Sequence, residues 1–200
     1  TAINDNSVTT KAALDNAKTS GTTAISNDNP VATKKDTAKA AIDSALREKE
    51  AAIDANNDLT TEEKNAAKAD AQAKATAAKT AIDNATTNAA VDSAQTAGTT
   101  SVSSVMPTAV AKPAAKKAIE DALKAKVAQL DARNDLTTEE KEAAKADAQA
   151  RATAAKNNID TATTNSTVDN AKTTGVADVE SVNPQASQKK TDAKNAVDEA

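Results

Sequence analysis

The sequence has no cysteine, no histidine, no phenylalanine, tyrosine or tryptophan, and only three glycines and four prolines in 200 residues. Lack of cysteine rules out disulfides, thiolate metal sites and cysteine nucleophiles. Lack of histidine removes the commonest general base and transition-metal ligand. Without aromatic rings there is no platform on which bases could stack. The 25 basic and 29 acidic residues sum to a formal charge of −4, so no basic excess exists to hold phosphates. Nucleic acid is therefore not an expected partner. No run of 18 apolar residues occurs and no signal-peptide pattern opens the chain, so no membrane insertion is expected in this segment. The missing cysteines fit either side of a membrane and do not fix a compartment.

Alanine fills the space. The apolar residues comprise 51 Ala and only 26 Ile, Leu, Val or Met. That large-aliphatic share lies below the roughly 20% at which chains become suspect as disordered. The charges, however, are mixed in sign, and Ala, Lys, Glu and Gln are the strongest helix formers. The composition predicts helix.

The main organising feature is a repeat. Residues 31–107 align with 108–184 without a gap at an offset of 77, with 48 identical positions. Pro30, Pro107 and Pro184 mark that spacing, as do Gly21, Gly98 and Gly175. The expected organisation is the C-terminal part of a preceding repeat over 1–29, complete repeats over 30–106 and 107–183, and the N-terminal part of a following repeat over 184–200. A window from a longer array is the expectation. Small length differences between copies fall after Ile82 and after each Pro, and such changes belong in connections.

Each repeat divides into three helical segments. In the first, about 35–56, Ile42, Leu46 and Ile53 follow the spacing of one helical face beside Ala38, Ala45 and Ala52. Its second copy carries Ile119, Leu123, Val127 and Leu130. Asp43–Arg47 and Glu120–Lys124 have the spacing of i,i+4 ion pairs. In the second segment, about 61–85, Ala66, Ala69, Ala73 and Ala77 are read as a smooth stripe facing another helix. In the third, Val91, Gly98, Val102 and Val105 share one side. This favours a single helix to about Val105 over one ending with Gly98 as its cap. Short connections between such helices predict an all-α fold of tandem antiparallel three-helix bundles forming an elongated rod.

The octet NDLTTEEK stands at 57–64 and returns unchanged at 134–141. Asp54, Asn56 and Asp58 occupy positions 1, 3 and 5 of a calcium-loop pattern, but position 6 is Leu59 instead of Gly and position 12 is Asn65. The second copy has the cation Arg133 at position 3. The pattern fits a helix start better. Thr60 with Glu63, and Thr137 with Glu140, form the Thr-x-x-Glu capping box, in which each side chain satisfies the other residue's backbone N–H. Thr60, Glu63, Thr137 and Glu140 are accordingly structural cap residues. Asn57 and Asp58 read as turn formers, and Leu59 as a core residue beneath the turn. A partner epitope is the alternative reading of the octet.

No catalytic, cofactor-binding or metal-ligating constellation is expected. A Ser–Lys dyad needs a desolvated lysine, whereas these lysines lie in KK, AK and EEK runs that read as solvated faces. Glu139 and Glu140 sit together at a helix start. Asn165-Ser-Thr167 matches a glycosylation sequon, a short pattern in a threonine-rich chain.

The motifs A-I-x-x-A, D-L-T-x-E-E-K, A-I-D-x-A-x-T-N, V-D-x-A-K-x-x-G and a closing V-x-P, in this order over Lys112–Pro184, give the chain a wider likeness. It resembles the helical tandem repeats of Gram-positive cell-wall-anchored surface adhesins, the staphylococcal surface protein C and Mrp/FmtB-like repeat family. That resemblance covers the whole chain. It implies a secreted structural stalk on the cell surface, anchored to the cell wall through regions outside this segment and projecting an adhesive domain. The repeat carries no functional residue that could be transferred. The partners so implied are neighbouring repeats of the same chain. The alternative function is a binding module for a host serum or matrix protein, or for homotypic cell–cell aggregation. A chain that folds only on drying is a third reading, although such proteins usually carry repeats of about eleven residues.

Overall fold

The computed structural model describes residues 10–27 and 30–198. Every regular element among them is helical: α1 Lys11–Asn27, α2 Pro30–Ala55, α3 Thr61–Asn84, α4 Asn88–Ser103, α5 Ala111–Asp131, α6 Thr138–Thr161, α7 Asn165–Glu180 and α8 Gln188–Asp198. Of these helices, none is long and apolar enough to cross a membrane. Two compact units emerge from the packing. Among the described residues, one comprises 10–27 and 30–49 with Asp70–Val105, and the other Glu50–Ala69 with 106–198. The divisions fall inside α2 and α3, so the octet at 57–64 belongs to the same compact unit as the whole of the second repeat.

In the first unit, Ala38 and Ile42 of α2, Ala75, Ala78 and Ile82 of α3, and Val91 and Val102 of α4 share one buried cluster. The second unit repeats the arrangement, and α5, α6 and α7 each pack against the other two. Ala115 and Ile119, then Ala152, Ala155 and Ile159, then Val168 and Val179 form that core. Corresponding residues lie 77 apart. The large aliphatics in each cluster are few, and alanine closes the gaps between helices without adding side-chain entropy cost.

Two readings of the sequence need correction. The stripe Ala66, Ala69, Ala73 and Ala77 faces solvent, and Ala67, Ala71, Ala75 and Ala78 are buried instead. Alanine occupies several faces of α3, so composition cannot fix its phase. Ile82 does: it is fully buried, and stepping back from it by helical spacing reaches Ala78, Ala75, Ala71 and Ala67. Ala52 of α2 is likewise exposed beside the buried Ile53.

The second correction concerns charge. Asp43 pairs with Lys79 of α3 rather than with Arg47, whose guanidinium donates to the Ser44 hydroxyl at 3.0 Å. Glu120 pairs with Lys156 of α6 at 2.7 Å rather than with Lys124. A carboxylate beside a neighbouring helix meets that helix's lysine and holds it in register. Lys39–Asp83 and Lys68–Asp54 recur in the same way as Lys116–Asp160 and Lys145–Asp131. Such half-exposed pairs contribute only about 0.2–1 kcal/mol each, but their placement between helices discriminates against slipped packings.

In the third segment the helix runs on through glycine. Gly98 lies inside α4 and Gly175 inside α7, and no described residue has a positive φ. The glycines therefore serve close approach and not a left-handed cap. A Cβ on Gly98 would stand 2.5 Å from the Ala78 Cβ and 2.7 Å from the Ile42 Cδ1. Gly175 meets Ala155 and Ile119 in the same way.

Candidate functional site: the octet joint

The octet makes a dense set of polar contacts with residues of the next repeat. All of those described next lie within the second compact unit. After α2 ends, the Asn56 side-chain oxygen accepts the Asp58 N–H at 2.9 Å and tightens the turn. Leu59 is 3% exposed and packs with Ile53, Ala67 and Ala109. Lys64 donates to the Asp54 carbonyl at 2.7 Å, satisfying an acceptor at the C-terminal end of α2. Asp54 itself bridges to Lys68. The residues of the calcium-like pattern are thus engaged in turn and helix-end contacts.

Thr60 and Glu63 start α3 reciprocally. The Thr60 hydroxyl accepts the Glu63 N–H at 3.3 Å, and the Thr60 N–H donates to Glu63 Oε2 at 3.0 Å. Thr137 and Glu140 do the same for α6, at 3.2 and 2.8 Å.

The same carboxylate then does a second task. Glu63 Oε1 accepts the backbone N–H groups of Val110 and Ala111 at 2.8 and 2.9 Å, at the start of α5 in the next repeat. Val110 at the N-cap of α5 contributes no side-chain cap of its own. Glu140 Oε1 repeats this contact with the Ser187 N–H at 2.8 Å. One carboxylate therefore caps two helices, each with a dipole that favours an anion.

Neighbouring letters face the next repeat as well. Glu62 accepts the Asn165 N–H at 3.0 Å at the start of α7. The Thr60 hydroxyl donates to the Asn165 side-chain oxygen at 2.7 Å, and the Thr61 N–H donates to the Thr163 carbonyl at 2.7 Å. Thr60 is completely buried, whereas Thr137 is half-buried. Lys112 of α5 closes the joint. It is 5% exposed and donates to the carbonyls of Asn57 and Asp160, each at 2.7 Å. Its ammonium thus sits where two helices end with unpaired carbonyls. A groove of about 430 Å³ beside it is lined by Asn57, Leu59, Thr61, Lys64, Lys112 and Asp160, among others.

These contacts perturb the two cap carboxyls. Burial pushes Glu63 upward, but the N–H groups of Ala111, Thr60 and Val110 outweigh it and hold the carboxyl below its ordinary 4.5. Glu140 is held below the same value by the Thr137 N–H foremost, then by Ser187. A carboxyl depressed in the folded state adds stability above its unfolded pKa and loses it as pH falls through the folded pKa. Melting temperature is therefore expected to drop as pH is lowered below 4.5. Glu63→Gln with Glu140→Gln should flatten that part of the curve, and an unchanged slope in the double variant would remove these carboxyls as its cause.

Sequence reading places Thr60, Glu63, Thr137 and Glu140 within their own repeats and does not reach Glu62, Lys112, Thr163 or Asn165 across the joint. One signal was available for Lys112: lysine recurs at 35, 112 and 189. Lys35 donates to the Asp83 carbonyl at 2.7 Å, the counterpart of Asp160. The sequon residue Asn165 is bound into the joint through both its N–H and its side-chain oxygen.

A helical core copied at a fixed period, with each copy's turn tied to the next copy's helix starts, defines a tandem helical repeat protein. The family model described as Domain of Unknown Function (DUF1542) matches residues 34–110 and again 111–187. The chain belongs to that family, the repeat family of staphylococcal surface proteins. The border between the two matches falls between Val110 and Ala111, the two N–H groups that Glu63 caps. No curated protein and no solved structure matches the chain.

Proposed function

We propose that the chain is a non-catalytic stalk segment of a bacterial cell-surface adhesin. In this reading each repeat is an antiparallel three-helix bundle over 30–106 or 107–183, and successive bundles stack into an elongated rod. The rod projects an adhesive domain from the cell wall and is itself secreted and anchored through regions outside the segment. The observation that carries the reading is the joint at 57–64. Contacts from Asn57, Thr60, Thr61, Glu62 and Glu63 to the next repeat are hydrogen-bonded and recur in part at Glu140–Ser187. These bonds couple the turn of one repeat to the helices of the next, and nearest-neighbour coupling of this kind is how stacked repeats gain stability.

Small-angle scattering on chains carrying two, four and six repeats tests this. The maximum dimension is expected to grow in proportion to repeat number, with a cross-section that stays constant. A compact particle whose dimensions grow only as the cube root of mass would overturn the reading.

A further inference from the structure

The connection that leaves α7, residues 181–187, is held from several directions. Val182 within it is 4% exposed and packs with Leu130, Ala144 and Ala148. Arg151 of α6 donates to the Ser181 hydroxyl at 3.0 Å. Arg133, in the turn after α5, donates to the Asn183 side-chain oxygen at 3.2 Å and to the Pro184 carbonyl at 3.3 Å. Glu140 accepts the Ser187 N–H at the far end. A carboxylate steadies each guanidinium in turn. Arg133 meets both oxygens of Asp135, and Arg151 meets Asp147 at 3.1 Å. All of these residues belong to the second compact unit.

Glu140 has its counterpart in Glu63, but the arginines have none. Where the second repeat carries Arg133, Arg151 and Asn183, the first carries Asn56, Lys74 and Met106, each 77 positions earlier. Asn56 closes its own turn on the Asp58 N–H, Lys74 pairs with Asp70 of its own helix, and Met106 is 84% exposed. Three differences between the copies thus meet around one short connection.

We propose that Arg133 and Arg151 form a clamp that fixes the path of the chain out of the second repeat. A guanidinium is a planar fork with five donors, so one edge holds a carboxylate while another donor reaches a second acceptor. The ammonium of a lysine, as at position 74, is a point charge on a flexible stem. Asn183 supplies an amide oxygen where methionine has only a weakly accepting sulfur. Copies of the repeat therefore differ in the freedom of the chain that leaves them, and the residues at these three positions set that freedom. The clamp involves the second unit alone and does not rest on the stalk reading.

Amide hydrogen exchange and backbone order parameters, measured on the full chain, test the clamp. Arg133→Asn with Arg151→Lys installs the residues of the first repeat. Half-exposed ionic contacts are individually weak, so exchange about two- to fivefold faster is expected at Val182 and Ser187, with lower order over residues 183–186. The amides of Ile159 and Val168, in the core of the same unit, should keep their wild-type rates. Unchanged exchange and order over 182–187 in the double variant would overturn the proposal. Equal acceleration at Ile159 and Val168 would overturn it too, because the unit would then be loosened as a whole. Should the double variant lose its helical circular dichroism, Asn183→Met, which keeps both arginines and removes one acceptor, decides by the same criteria.

Discussion

Replacing Gly98 by alanine is expected to destabilise the first unit, even though alanine is the better helix former. In an exposed helix the exchange gains about 0.5–1 kcal/mol. At Gly98 the new methyl would stand 2.5 Å from the Ala78 Cβ, which is a stub with no rotamer to turn away. Ile42 Cδ1, at 2.7 Å, can swing aside, but only within a core where Ile42 is itself fully buried. The helices must therefore separate, and overpacking of this sort costs about 1–3 kcal/mol, occasionally more. Gly175→Ala should do the same to the second unit, with Ala155 as the unyielding neighbour. Gly21 supplies the control: it lies in α1, a Cβ there meets nothing within 4 Å, and Gly21→Ala should leave stability equal or slightly higher. Thermal melts of the three variants check this. Equal effects at 21 and 98 would mean that α4 does not approach α3 as closely as described.

The second large effect is expected at Lys112. Truncation to alanine leaves the carbonyls of Asn57 and Asp160 without their donor; Lys112 is 5% exposed, but both acceptor residues are exposed and border the groove, so water replaces the ammonium in part. Hydrogen bonds to charged groups contribute about 1.5–3 kcal/mol each, and with water offsetting part of the two lost bonds a loss of about 2–4 kcal/mol is expected. Lys112→Met, which keeps the stem but not the charge, should recover little of it. Lys35 occupies the same position one repeat earlier, is half-buried and reaches one carbonyl, that of Asp83. Lys35→Ala should therefore cost about 1 kcal/mol or less. Chemical denaturation of the three variants measures the difference. Similar losses at 35 and 112 would show that the Asn57 carbonyl contributes nothing.

Much of the fold was legible because its signals are local. Helical segments at 61–84 and 88–103 follow from propensity, a capping threonine and a proline stop, all of which act within a few residues. The reciprocal bonds between Thr60 and Glu63 span only three residues, so spacing alone carries them. Other features depended on partners that spacing does not name. Alanine stripes on α3 are interchangeable until Ile82 sets the phase, and Asp43 has equal claim on Arg47 and on a lysine of another helix until that helix is in place. Glu63 was read through one oxygen, since the second meets amides 47 and 48 residues away.

Corresponding residues of α1 and α4 make the same distinction. Leu14 and Gly21 copy Val91 and Gly98 at an offset of 77. Yet Leu14 is 43% exposed where Val91 is wholly buried, and a Cβ at Gly21 would meet nothing within 4 Å where one at Gly98 would meet Ala78 and Ile42. By itself, then, the sequence determined the helical segments, their period and the absence of chemistry that needs cysteine, histidine or aromatic rings. Those properties come from residue types and short spacings. Only the tertiary structure decided which alanines are core, which ions pair and which helix starts a carboxylate serves, because each depends on what a neighbouring helix brings within a few ångströms.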